Sequence, residues 1–317
     1  MQQKGVALIL VLWVLSLLII MAGSFALTMR REASIVSTIK NNAQAMSIAE
    51  SGISIAEMML SSPDPFKAWK ADGRVYEIIA DRAKIRIQLF SEAGKIDINK
   101  ADQQLLKSLM AHAPVDEDQQ SHLVGAILDW RDPDDLVNLN GAEKVQYEEA
   151  GLNYQPANKS FQSIEELQLV LGMDKAIFGW IEPLVTVYSG QSQINMQMAS
   201  KDVLQIIPGL DQGLVESYIF ARLRSAINNQ LPPPFPLNSI FNNPAGQSNV
   251  FNLVSDAVLD DHSKAIINAV VKKSEQNVET PFQVLKWSRV TANTKTLFTA
   301  KISELLVKKY AEPELNN

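Results

Sequence analysis

Apolar and polar positions change pattern several times along the chain, and each change predicts a different element. The first pattern is unbroken: the 25 residues between Lys4 and Arg30 carry no charge. As a helix, Val6 to Met29 would be roughly 36 Å long, enough for a hydrocarbon core of about 30 Å. It exceeds the apolar run of roughly 7 to 15 residues in a cleaved secretory signal. From Arg30 onward the apolar residues thin to Ile35, Ile39, Met46, Ile53, Ala56 and Leu60, with Ala43 and Ala49 between them. That spacing suits one face of a helix. No proline precedes Pro63, so a single rod of roughly 80 Å is expected from Val6 to about Ser61. The competing reading is a cleaved signal, with a peptidase site among Ala22, Gly23, Ser24 and Ala26 and a mature start near Thr28.

Pro63 and Pro65 end the rod, and the period then drops to that of strands. Runs at Val75 to Ala80 and Ala83 to Phe90 flank an Asp81-Arg82 turn. Asn99 to about Arg224 reads as short helices. Two stretches there, "GKIDINKADQQLLKSLM" and "SQINMQMASKDVLQIIPGLDQ", are distant repeats with helix caps at Asp102 and Ser200. Two further stretches resemble helix-hairpin-helix units turning at Gly172 and Gly209. DNA-binding hairpins aim amides at a phosphate with Lys or Arg nearby, whereas Asp174 and Asp211 stand here. After the proline-rich "NNQLPPPFPLNS", strands return at Val250 to Ala257, Ala265 to Lys272 and Phe282 to Trp287. The expected fold class is therefore α+β, with one antiparallel sheet interrupted by a helical insertion.

Composition narrows the function. With 317 residues, 46% hydrophobic and 20% charged, the chain can bury a real core, and its net charge of −6 argues against nucleic acid as a partner. Cysteine is absent, so neither disulfides nor thiolate chemistry is available. Lys4 lies on one side of the apolar run and Arg30 and Arg31 on the other, so charge alone does not orient it.

The densest candidate chemistry is "LDWRDPDDLVNLNGAEKVQYEEAG", where Asp129, Asp132, Asp134, Asp135 and Glu143 crowd around Pro133, Asn140 and Gly141. Carboxylates in that number repel one another or share a hard cation such as Ca²⁺. The spacing is not that of an EF-hand, and taken alone it favours a solvated acidic loop with Asp caps. His112, His122 and His262 are scattered, and no phosphate-binding loop, nucleophile elbow or zincin helix occurs. Glu165 and Glu166 read as first-turn acids behind a Ser163 cap. No catalytic constellation is expected.

A short basic leader ending in glycine, followed directly by an apolar and then an amphipathic helix, resembles the class III signal of type IV pilins and type II secretion pseudopilins. The resemblance implies cleavage by prepilin peptidase after Gly5, leaving Val6 as the first mature residue. The fifth mature residue is normally Glu in that family and here is Leu10. In those proteins the Glu is thought to meet the N-terminal amine of the subunit ahead, so its absence points to a leading tip. The leader, "GKIDIN", "DWRDPDD" with "GAE", "FQSIEEL" and "PFQVLKW" in this order resemble the minor pseudopilin K family.

That resemblance implies a type IV pilin-like helix packed on an antiparallel sheet with a large inserted α-domain. The expected divisions are a leader at 1–5, an assembly helix at 6–62, sheet segments at 63–98 and 239–317, and an insertion at 99–238. It further implies a non-enzymatic tip subunit of the type II secretion pseudopilus. The subunit would cross the inner membrane of a Gram-negative bacterium once and hold its head in the periplasm. Minor pseudopilins I and J, prepilin peptidase and the inner-membrane secretion platform are the implied partners. Helices of I and J would share the stripe Ile35, Ile39, Met46, Ile53 and Leu60. Family members carry calcium in the inserted domain, which implies Asp132, Asp134, Asp135 and Glu143 as ligands, with backbone carbonyls completing the shell. The alternative functional class is a membrane-anchored helix-hairpin-helix module that binds DNA.

Overall fold

The computed structural model describes residues 4–80, 82–228, 230–236, 249–274, 281–290, 296–303 and 306–307. The expected turn at Asp81, the start of the leader, the 238/239 division and the C-terminal tail lie outside the described residues.

One helix, α1 (Lys4–Leu60), carries both the apolar run and the amphipathic stretch. Its N-terminal part is long and apolar enough to cross a membrane. Leu8 to Met29 stand free of the rest of the protein, whereas Ala45, Ala49, Ile53, Ala56 and Met59 are buried. Those five recur every three or four residues, so one side of α1 lies on the sheet. Small residues let the helix approach closely. A methyl group added to Gly52 would collide with the Ser255 hydroxyl and stand 3.0 Å from Ile85.

The sheet runs β1 (Asp72–Ala80), β2 (Ala83–Ser91), β5 (Val250–Leu259), β6 (Lys264–Lys273) and β7 (Phe282–Val290), every neighbour antiparallel. Alternation along β2 and β5 turns Ile85, Ile87, Leu89, Leu253 and Ala257 toward α1, forming the first core. β2 pairs with β5 over its whole length, from Ala83 opposite Leu259 to Ser91 opposite Phe251. Everything between those strands in sequence is therefore an insertion into the sheet.

The insertion leaves and re-enters where α1 ends. Lys273 Nζ donates to the Leu60 carbonyl at 3.3 Å, and Asp72 pairs with Phe90 at that same end. The insertion is a helical body built of α2 (Gln103–Met110), α3 (Glu117–Arg131), α4 (Lys144–Glu149), a 3₁₀ turn at Ile164–Leu169, α5 (Lys175–Ile181), α6 (Lys201–Ile206) and α7 (Gln212–Ile227). A short parallel pair, β3 (Ile96–Asp97) with β4 (Val185–Thr186), ties its first half together. Leu106, Leu109, Leu123, Ile127, Leu167 and Val203 belong to its separate core.

Asp102 and Ser200 cap α2 and α6, as the repeat predicts, accepting from Leu105 N and Val203 N. Gly172 and Gly209 turn with φ of +85° and +79°, where a side chain would be strained. Asp174 and Asp211 accept from the Ile177 and Leu214 amides, so each hairpin's amide end is satisfied by its own carboxylate. That leaves a phosphate facing negative charge. A third hairpin, α2–α3, repeats the device with Asp116 accepting from Gln119 N.

Buried arginines fasten the body to the sheet and tie the body together. Arg74 pairs with Asp72 at 3.0 Å, both side chains 1% exposed, and donates to the Gln230 carbonyl at 2.6 Å. Arg222, buried on α7, donates to the Gln197 and Ala199 carbonyls.

Candidate functional site

Three places hold the residues singled out from sequence: the acidic loop, the α1 stripe and the N-terminal end of α1.

The acidic loop connects α3 to α4. Leu123, Val124, Ile127 and Trp130 commit one face of α3 to the core, and Asp129 follows the same face inward until it is fully buried. Asp132 then ends the helix with extended backbone at φ −81° and ψ 160°. Asn140, with φ +60°, turns the chain back toward Glu143, which precedes α4 and donates its amide to Gln146 Oε1 at 2.9 Å.

Asn138 is the hub. Its amide and side-chain nitrogen donate to Asp129 Oδ1 at 3.0 and 2.6 Å, and the same nitrogen reaches Asp132 Oδ2 at 3.1 Å. The remaining oxygens, Asp129 Oδ2, Asp132 Oδ1 and Glu143 Oε1, are buried without a hydrogen-bond partner. A buried acceptor left unpaired costs about 1–3 kcal/mol, and more when charged. Burial pushes the Glu143 carboxyl up to about 7, reinforced by repulsion from Asp129, Asp132, Asp135 and Asp134. Asp132 is raised in the same way by burial, Asp129 and Asp134, against the opposing pull of Asn138 and Arg131. Arg131 turns its guanidinium to the Ile98 and Ala101 carbonyls.

Among the described residues, no three His, Cys, Asp or Glu side chains already converge as a metal-holding group. The fit to a cation rests instead on the donors. Three orphaned carboxylate oxygens, on Asp129, Asp132 and Glu143, lie in one loop, and all are hard ligands of the class that binds Ca²⁺ or Mg²⁺. Asp134 and Asp135 each commit one oxygen, to Leu136 N at 2.9 Å and Asn158 Nδ2 at 2.7 Å. The structure thus adds Asp129 to the set read from sequence. Its signal was the burial phase of α3, which runs through residues 123, 126, 127 and 130.

The histidines do not form a site. His112 contacts the Ser108 carbonyl within its own helix end, His122 contacts the Asn140 carbonyl, and His262 turns between β5 and β6.

The α1 stripe divides, correcting the expectation of one continuous partner face. Ile53 is 3% exposed in the chain's own core, and Met46 and Leu60 pack against that core. The strands occupy the face that a partner helix would need. Ile35 and Ile39, at 58% and 64% exposure, remain free for one. At the N-terminal end, Leu10 stands exposed in a shallow apolar groove with Val11, Val14, Leu15 and Leu18. Gly5 and Val6 lie in α1, and their surroundings are outside the described residues.

Residues 84–190 match the family model for type II secretion system protein K. A protein K of Klebsiella pneumoniae is 25% identical over 248 residues, covering 71% of this chain and 76% of the relative. One from Pseudomonas aeruginosa is 26% identical over 253 residues, covering 72% and 75%. The crystal structure of the GspK-GspI-GspJ complex from the type 2 secretion system of enterotoxigenic Escherichia coli contains a similar fold. Its TM-score is 0.53 at 17% identity, over 83% of this chain and 99% of that one. The matched family segment begins in β2 and takes in the acidic loop, two of the three hairpins and both strands of the parallel pair, so this chain is similar to type II secretion system protein K in the sequence of that segment and to the solved GspK complex in its fold.

Proposed function

We propose that this protein is the tip subunit of the type II secretion pseudopilus, a minor pseudopilin that initiates or caps the filament. The observation that carries the reading is the position of the helical body. It is inserted between two paired strands at the end of α1 remote from the apolar run, where its bulk suits a filament end and obstructs a shaft. Leu10 supports the same reading, since a leading subunit has no amine ahead to neutralise a carboxylate within lipid.

The apolar half of α1 anchors the subunit in the inner membrane, with Val6 exposed as the mature N-terminus by prepilin peptidase, and the body lies in the periplasm. Ile35 and Ile39 pack against helices of minor pseudopilins I and J, as the composition of the solved complex of a similar protein suggests. From the inner-membrane platform, the assembled tip would then rise with the filament.

The acidic loop holds calcium through Asp129, Asp132 and Glu143, with Asp134, Asp135 and backbone carbonyls completing the shell. Its role is structural. The cation supplies positive charge to oxygens that otherwise repel, and the loop and α4 keep their place over α3.

Gold labelling of the full-length protein on pseudopili from cells with the complete secretion apparatus tests the tip. One labelled end per filament is expected, and label along the shaft would overturn the reading.

A further inference from the structure

The acidic loop carries apolar side chains where a solvent-facing loop has no use for them. Leu136, Val137 and Leu139 are 76%, 49% and 81% exposed, and no described large hydrophobic residue is more exposed than Leu139, the membrane-type run included. Single exposed leucines are ordinary, but three within four residues form a patch. They are also held still. Leu136 N donates to Asp134 Oδ1, and Asn158 holds the Asp134 carbonyl and the Asp135 carboxylate. Between the leucines, Asn138 is fastened to Asp129, and its carbonyl accepts from Gly141 N at 2.8 Å. Backbone order is therefore established on folding, which lowers the entropic cost of docking.

The surroundings select the partner. From residue 129 to 149 the chain has seven carboxylates and two cations. Even with a divalent cation beneath the loop, the segment stays acidic. An anionic lipid surface repels such a segment, whereas a protein cleft with an apolar floor and a basic rim complements it.

We propose that the loop 134–140 is a docking knob that seats Leu136 and Leu139 in an apolar cleft rimmed by lysine and arginine on a folded protein partner. The tip placement enters only in where that partner is met. The loop geometry stands with or without it.

The cysteine-free chain permits a direct test. Full-length protein carrying Leu139→Cys is treated with a membrane-impermeant maleimide, in cells with and without the remaining secretion apparatus. Phe220→Cys, at a position 69% exposed on α7, serves as reference. Labelling of Leu139→Cys is expected to slow at least tenfold when the apparatus is present, with the reference unchanged. Equal rates in both strains would overturn the proposal. Slow labelling without the apparatus would mean that lipid or the chain itself covers the knob, and would overturn it too. In membranes isolated with calcium present, 1 M sodium chloride shortens the screening length from about 10 Å to about 3 Å and should abolish the protection. Protection that survives the salt would overturn the basic rim. Gold labelling of the same cells separates the two readings. A labelled tip with an unprotected knob sinks this inference alone, and label along the shaft sinks the tip reading alone.

Discussion

Gly141 lies directly against Asp129, so closely that a methyl group at residue 141 would run into the Asp129 carboxylate. The same loop crosses α3 at Gly125, where an added methyl would stand 2.6 Å from Gly141 N. Two glycines thus let the loop descend onto the helix that bears its buried acid.

Replacing Gly141→Ala should therefore overpack the site at a cost of about 1–3 kcal/mol. Thermal unfolding of the purified chain measures it. Gly179→Ala is the control, because nothing lies within 4 Å of its added methyl. On helix α5 that change should be neutral or stabilising by about 0.4–1 kcal/mol. Equal melting shifts for the two variants would remove the close-packing account.

The raised Glu143 carboxyl fixes a pH response with a definite sign. A carboxyl whose folded pKa lies above its unfolded value contributes stability below the ordinary range near 4.5, and loses it as pH rises through about 7. In chelator, the melting temperature should therefore rise between pH 8 and pH 5.5, as a proton takes the place of the cation. Calcium at pH 8 should produce a similar rise. Glu143→Gln in chelator should remove most of the pH dependence. A melting temperature that falls toward pH 5.5 would contradict the electrostatics of the loop.

The division of the α1 stripe separates folding from assembly. Ile53→Ala should cost about 2–4 kcal/mol in the isolated chain, since it empties space beneath the sheet. Ile39→Ala should leave that stability unchanged and reduce co-purification with minor pseudopilins I and J. Comparing denaturant midpoints with pull-down yields would show whether the two residues act on different partners.

Processing is read from intact mass and N-terminal sequencing. With prepilin peptidase present the chain should begin at Val6, and without it the leader should remain. A start near Thr28 in both strains would make the apolar run a removed signal.

Local pattern carried much of the architecture. β-like runs, with alternation clearest at Val250 to Ala257, marked five strands, and the structure lengthens each by only a few residues. Asp102, Ser200, Gly172 and Gly209 announced their caps and turns because those roles depend on φ and on a side chain reaching its own backbone. The third hairpin was missed. Val115-Asp116 has the same apolar-Asp spacing as Met173-Asp174 and Leu210-Asp211, but no glycine marks its turn. The acidic loop was visible as composition, yet Asp129 was passed over as a ligand because its depth is a property of how α3 packs.

What the sequence determined by itself, then, is whatever neighbours along the chain can enforce: an apolar helix of membrane-spanning length, strand alternation, helix caps, and the acidic composition of one loop. Tertiary structure alone decided the pairing of β2 with β5 across the whole inserted body. It alone also decided the burial of Ile53 under its own sheet, the orphaned oxygens of Asp129, Asp132 and Glu143, and the exposure of Leu136 and Leu139. The physical reason is common to all of these. Propensity acts over a few residues, whereas burial and charge repulsion depend on which distant segments share the same space.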